Sequence, residues 1–146
     1  MSQYSKARHF KNIQPWLDLL IMNDQVLLSE YNITAINEIC DRIGLDCNTI
    51  KASSLTTEGS ATDLLVSTVA AVGANVYLCG GGASGYQEDE KFERHGLGLE
   101  YQNFAHPRYQ QFKSENFQPG LSIIDALMHC GAEAVGEMLN VKASDL

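Results

Sequence analysis

Val76-Tyr77-Leu78-Cys79-Gly80-Gly81-Gly82 decides how the chain is read, because four strand-forming residues run directly into a glycine cluster. A short apolar run bounded by turn residues is the pattern of a buried strand. Upstream, Asn48-Thr49-Ile50-Lys51-Ala52-Ser53 reads as another strand. Between them Ser60 or Thr62 can cap a helix whose apolar face carries Leu65, Val69 and Val72 and which stops at Gly73. Downstream, Glu88 to His95 reads as a short helix stopped at Gly96, and Leu99-Glu100-Tyr101-Gln102-Asn103-Phe104 as a third strand. Strand, helix, strand, helix, strand is the order of consecutive βαβ units. The expected fold class is therefore α/β, with a small three-stranded, mainly parallel sheet covered by helices in Rossmann-like βαβ units.

Helices flank this segment. Lys6 to Leu20 reads as helix with a break near Pro15, which suits a first turn better than an interior. Trp16, Leu17, Leu19 and Leu20 then form an apolar patch that must pack. A second helix runs from about Leu27 to Ile43, with Ile33, Ile36, Cys40 and Ile43 on one face and Gly44 as its stop. A polar loop from Ala105 to Gly120 precedes helices over Leu121 to Cys130 and Glu133 to Leu139. The 146 residues suit one domain, with residues 1–44 as a helical lead-in and 45–146 as βαβαβ with C-terminal helices. Its site is expected where the loops after Ser53, Cys79 and Phe104 converge, at the carboxyl ends of the strands.

Composition narrows the function classes. Apolar residues are 45% and charged residues 19%, a globular balance. With 10 Lys+Arg against 18 Asp+Glu the net charge is −8, which disfavours nucleic acid and anionic membranes as partners. The longest apolar run, Leu64 to Val72, is broken by Ser67 and Thr68, so no membrane insertion is expected. The opening residues Met1 to Lys6 lack the apolar core of a signal peptide, which places the chain in the cytoplasm. Cys40, Cys47, Cys79 and Cys130 contain no CxxC pair and are expected reduced.

The three loops carry the candidate residues. Ser53 to Ser60 is rich in hydroxyls and leads to a helix N-terminus, so Thr56 and Glu58 are candidate ligand contacts, with plain helix capping as the alternative. In Gly80 to Tyr86 the glycines let backbone approach a ligand, which nominates Gly80, Gly81 and Tyr86. No Gly-Lys-Ser/Thr follows, and Glu88-Asp89-Glu90 would repel a phosphate, so the expectation is a neutral or amine-bearing ligand, or a simple turn. In His106-Pro107-Arg108-Tyr109, the proline forces His106 onto extended backbone past a strand. An imidazole titrating near neutrality there is the best general acid/base of the chain, and Tyr109 and Arg108 are placed to orient or neutralise a substrate group. Asp125, inside the apolar run Ile123 to Leu127, needs a partner, either a backbone N–H or the His106 imidazole.

Other constellations are weaker. Cys79, His106, His129 and Cys130 match no zinc spacing, and no metal is assigned. A thiol nucleophile at Cys79 or Cys130 competes with simple burial. No pattern identifies a cofactor.

Three ordered motifs then carry a family resemblance. Tyr77-Leu78-Cys79-Gly80-Gly81-Gly82, Tyr101 to Tyr109, and Phe117-Gln118-Pro119-Gly120-Leu121-Ser122-Ile123-Ile124-Asp125 with Cys130-Gly131-Ala132-Glu133 resemble the WbqC-like proteins of bacteria. The resemblance runs from about Tyr4 to Leu139 and departs at Cys79, His129 and Ala132. It implies a role in bacterial surface polysaccharide and O-antigen synthesis, on a sugar-linked small-molecule substrate, with transferase-type chemistry on a sugar or acyl group. By the same resemblance Glu58, Gly80, Tyr86, His106, Tyr109, Ser122, Asp125 and Cys130 are the positions to carry a site. Members of the family usually begin with a further segment bearing HQPxYxPW, which Ile13-Gln14-Pro15-Trp16 echoes only in letters. The chain therefore resembles the C-terminal two thirds of such a protein. Two functions follow as expectations: an enzyme acting on an activated amino sugar with His106 as acid/base, or an accessory subunit completed by a homo-oligomer or a complementary N-terminal chain.

Overall fold

The structure is a computed structural model and describes residues 3–83, 85–111 and 116–139. It forms two compact units: residues 1–47 with 106–146, and residues 48–105.

The first unit is helical. Helices α1 (Phe10–Ile21) and α2 (Leu28–Ile43) belong to it, together with α5 (Ile123–Cys130) and α6 (Ala132–Leu139). Its core gathers Ala7, Ile13, Ile43, Leu127, Met128 and Val135, so each of the four helices gives at least one buried side chain. The His9 amide donates to the Met128 carbonyl at 3.0 Å, tying the start of α1 to the end of α5. Pro15 lies at the sixth residue of α1 rather than in a first turn, and the expected break does not occur. Pro15 and Lys11 both face solvent, so the carbonyl left without its i+4 donor can be hydrated. Trp16 and Leu17 pack on the core, but Leu19 is 74% exposed. Arg42 of α2 lies over the Trp16 ring at 4.7 Å. The shared face expected on α2 is only partly used: Ile43 is buried, Ile39 packs on the core and Ile36 stays exposed.

The second unit holds α3 (Ala61–Ala71), β1 (Val76–Gly80), α4 (Glu90–Arg94) and β2 (Gly98–Gln102). β1 and β2 pair in parallel, from Val76 opposite Gly98 to Gly80 opposite Gln102, with α4 in the crossover. Tyr77 and Cys79 point inward, and the Tyr77 ring stacks on the fully buried Phe92 at 5.1 Å. Thr62, Val66 and Val69 are the buried face of α3, in place of the expected Leu65, Val69 and Val72. Ser60 occupies the cap position of α3 without a side-chain cap bond, and the Thr62 hydroxyl accepts from the Glu88 amide at 3.1 Å.

The molecule is thus a mixed helix and strand protein, and two expected features are corrected. The sheet among the described residues has two strands and not three. The stretch Asn48 to Ser53 is not a strand, and Ala52–Ser54 forms a single 3-10 turn. The physical cause is local: the Ser54 hydroxyl and amide both donate to the Lys51 carbonyl, at 2.7 and 2.9 Å, which diverts the backbone from pairing. Ile50, 61% exposed, supplies no anchor for a strand. Without that strand the described residues hold one strand–helix–strand crossover and no consecutive Rossmann-like units. Helix ends fared better: Gly44, Gly73 and Gly96 all adopt the left-handed conformation expected of helix stops.

Candidate functional site

The best-built polar cluster of the first unit centres on Asp125. Ser122 caps α5, accepting from the Ile124 amide at 3.3 Å, and this sets Asp125 in the first turn. A carboxylate there meets the positive end of the helix dipole. Asp125 is 4% exposed, and burying a charge that deeply requires hydrogen bonds. They are supplied: Tyr109 Oη donates to Oδ2 at 2.7 Å and Gln111 Nε2 to the same oxygen at 3.2 Å. Tyr4 bonds to the same carboxylate. The imidazole beside it belongs to His129, one turn along α5, whose Nε2 stands 3.6 Å from Oδ1.

Gln111 also locks the incoming loop. Its Nε2 donates to the Gln118 carbonyl at 3.0 Å, and its Oε1 accepts from the Gln118 amide at 2.8 Å. Phe117 meets the Tyr109 ring edge-on at 5.3 Å, while Arg108 lies over the Phe117 ring. His106 is exposed on this same irregular segment, three residues before the anchored Tyr109. Residues 112–115, inside the expected polar loop, lie outside the described residues.

These surroundings shape the proton affinities. Burial first, and then the bond to Asp125, push the Tyr109 phenol up to about 12. Burial and Asp125 raise Tyr4 likewise. The Cys130 thiol is also raised, by burial and by the nearby carboxylate, which keeps it protonated at neutral pH and unsuited to nucleophilic attack.

The remaining candidates lie in the second unit. Thr56 and Glu58 are exposed before α3, and the Glu58 amide donates to the Ser67 hydroxyl at 2.9 Å. Gly80 ends β1 and Gly81 opens a 3-10 turn through Ala83, while Ser84 lies outside the described residues. Neither Gly80, Gly81 nor Gly82 has a positive φ, and a Cβ on any of them would meet no atom within 4 Å. Nothing in the described residues therefore requires glycine at these three positions. Tyr86 is 78% exposed. At this end of the sheet Tyr101 Oη sits 2.8 Å from both oxygens of Asp89, a bond that raises the Tyr101 phenol to about 12. Gln87 bonds to Asp89 at 3.1 Å as well.

Sequence reasoning singled out Asp125 and Tyr109 but missed Gln111, Tyr4 and His129 as companions of the carboxylate. A buried glutamine next to a tyrosine in an otherwise exposed loop carries no periodic signal. It missed Asp89–Tyr101 too, because Asp89 was expected to serve the α4 dipole, whereas its side chain makes no cap bond.

The whole length of this arrangement falls within one protein family. The model of the WbqC-like protein family matches residues 1–137, and the chain belongs to that family. It is 28% identical over 134 residues to the uncharacterized protein Rv1507c of Mycobacterium tuberculosis, an alignment covering 90% of this chain and 57% of that relative. The chain thus spans just over half the length of that relative. No solved structure matches. Among the described residues, no helix is long and apolar enough to cross a membrane.

Proposed function

We propose that this WbqC-like chain acts in bacterial surface polysaccharide or O-antigen synthesis, binding or modifying an activated amino sugar, with His106 as its general acid/base. The observation that carries the reading is the 2.7 Å bond from Tyr109 to Asp125, which fastens the His106-Pro107-Arg108-Tyr109 segment to the start of α5. An exposed imidazole on a segment anchored by a buried carboxylate is accessible to substrate and held in place. Asp125 and Tyr109 then act as positioning residues, and Arg108 stands two residues from the imidazole. Family membership supports the setting, and the acidic balance of the chain suits a donor-rich sugar better than a polyanion. The test is replacement of His106→Ala in the host strain, followed by electrophoresis of its surface polysaccharide. Loss of the long-chain ladder, with the circular dichroism of the purified variant unchanged, is the expected result. A normal ladder removes His106 from the chemistry.

A second reading, an accessory subunit completed by another chain or a second copy, is favoured by the open sheet. Val76 and Leu78 on the outer face of β1 are 41% and 59% exposed, although parallel sheets are ordinarily covered on both faces. Light scattering on the purified chain tests it: a heavier species supports completion by a second copy, and a monodisperse monomer removes that form of it.

A further inference from the structure

The second unit contains a cleft of about 540 Å³ that none of the proposed chemistry uses. Its wall is α3, which contributes Asp63, Val66 and Ser67, and it is completed by Glu58 and by His95 and Leu97 from the turn between α4 and β2. The volume suits a monosaccharide-sized ligand. Val66 is buried and Leu97 half-buried, giving an apolar floor under a polar rim.

The rim is dominated by acceptors. His95 Nδ1 lies 2.7 Å from the Lys91 carbonyl, which can only accept, so that nitrogen donates and Nε2 is the ring atom left for a ligand. The Ser67 oxygen is engaged by the Glu58 amide at 2.9 Å, and its hydroxyl can still turn to a ligand. Asp63 shares Lys91 with Glu88, the Nζ lying 2.9 Å from each carboxylate, so the three groups keep one net negative charge. Glu58 makes no ion pair among the described residues. The Glu58 carboxylate and the net negative charge left at Asp63 repel phosphates and carboxylates, while the His95 ring and the Ser67 hydroxyl add polar contacts over an apolar floor. They match a ligand with a cationic amine and several hydroxyl donors on a compact ring.

We infer that this cleft binds an amine-bearing sugar unit, with Glu58 receiving the ammonium group and His95 Nε2 and the Ser67 hydroxyl engaging ring hydroxyls. The inference rests on the amino-sugar reading for its ligand class alone and concerns the second unit by itself. It is tested by binding alone, so its outcome stands apart from any role of His106. The experiment is a nitrogen–proton correlation titration of the labelled full chain with glucosamine, and with glucose as the uncharged control, at a pH where the amine is protonated. Glucosamine is expected to shift the resonances of Glu58, Ser67 and His95, with a Kd at least tenfold below that for glucose. Glu58→Gln, at an exposed position, should abolish that preference with the spectrum otherwise intact, while His106→Ala should keep it. Equal affinity for the two sugars, shifts confined to residues outside the cleft, or an unchanged preference in Glu58→Gln would each overturn the inference. Retained glucosamine binding alongside a normal polysaccharide ladder in His106→Ala would leave the cleft standing and remove the catalytic role.

Discussion

Tyr109 and Asp125, sixteen residues apart, meet at 2.7 Å, so that a phenol from an irregular loop satisfies a buried carboxylate at the start of α5. The bond joins a stability function to a positional one. Without its donors the carboxylate would be a charge held out of water, and without the carboxylate the segment bearing His106 would lose one of its anchors.

Tyr109→Phe keeps the ring, and with it the edge contact to Phe117, but removes the donor. Leaving a buried charged acceptor short of one hydrogen bond costs about 1–3 kcal/mol. Urea unfolding of the variant should show a lower midpoint at unchanged slope. A midpoint equal to that of the parent chain would mean that Tyr4 and Gln111 alone satisfy Asp125.

What the sequence makes legible here is local, and what it conceals is spatial. Gly44 ends α2 because a left-handed residue closes a helix whatever surrounds it, and that is visible in the letters. β1 is equally visible as a short apolar run before glycine, and β2 as an alternating run after one. The strand expected over Asn48 to Ser53 fails on one detail, the Ser54 hydroxyl turning back onto the Lys51 carbonyl. At the candidate site, the apolar neighbours of Asp125 announce a buried carboxylate needing a partner. They do not say which one, because Tyr109 and Gln111 arrive on a loop whose path has no period. The expectation therefore stays open between a backbone N–H and the His106 imidazole, whereas the imidazole beside the carboxylate is that of His129.

Alkaline titration offers a direct check on both phenol–carboxylate pairs. Tyr101, through its bond to Asp89, and Tyr109, through burial and Asp125, are each raised from 10.0 to about 12. Both folded-state values lie above the unfolded one, so the folded state holds these protons more tightly. Their contribution to stability is complete below pH about 10 and is lost as pH rises through about 12. Ultraviolet titration should show three of the six tyrosines, Tyr4, Tyr101 and Tyr109, ionising later than the others, and Tyr109→Phe should leave one fewer. A single phenolic step near 10 in the folded protein would contradict the two contacts.

The packing of α6 on α2 can be tested at Gly136. In an exposed helix interior, Gly→Ala stabilises by roughly 0.5–1 kcal/mol through the reduced entropy of the unfolded chain. Gly136 is buried, and a Cβ built on it would run into the backbone carbonyl of Ile43, the last residue of α2. That carbonyl belongs to fixed backbone in the core and cannot swing aside as a side-chain end would. Gly136→Ala must therefore push the two helices apart, at a cost of about 1–3 kcal/mol for overpacking a well-filled core. The steric cost exceeds the entropic gain and the sign reverses. Thermal unfolding of the variant should show a lower midpoint than the parent. A raised midpoint would mean that α6 does not approach Ile43 closely, and that glycine at this position answers to something other than helix packing.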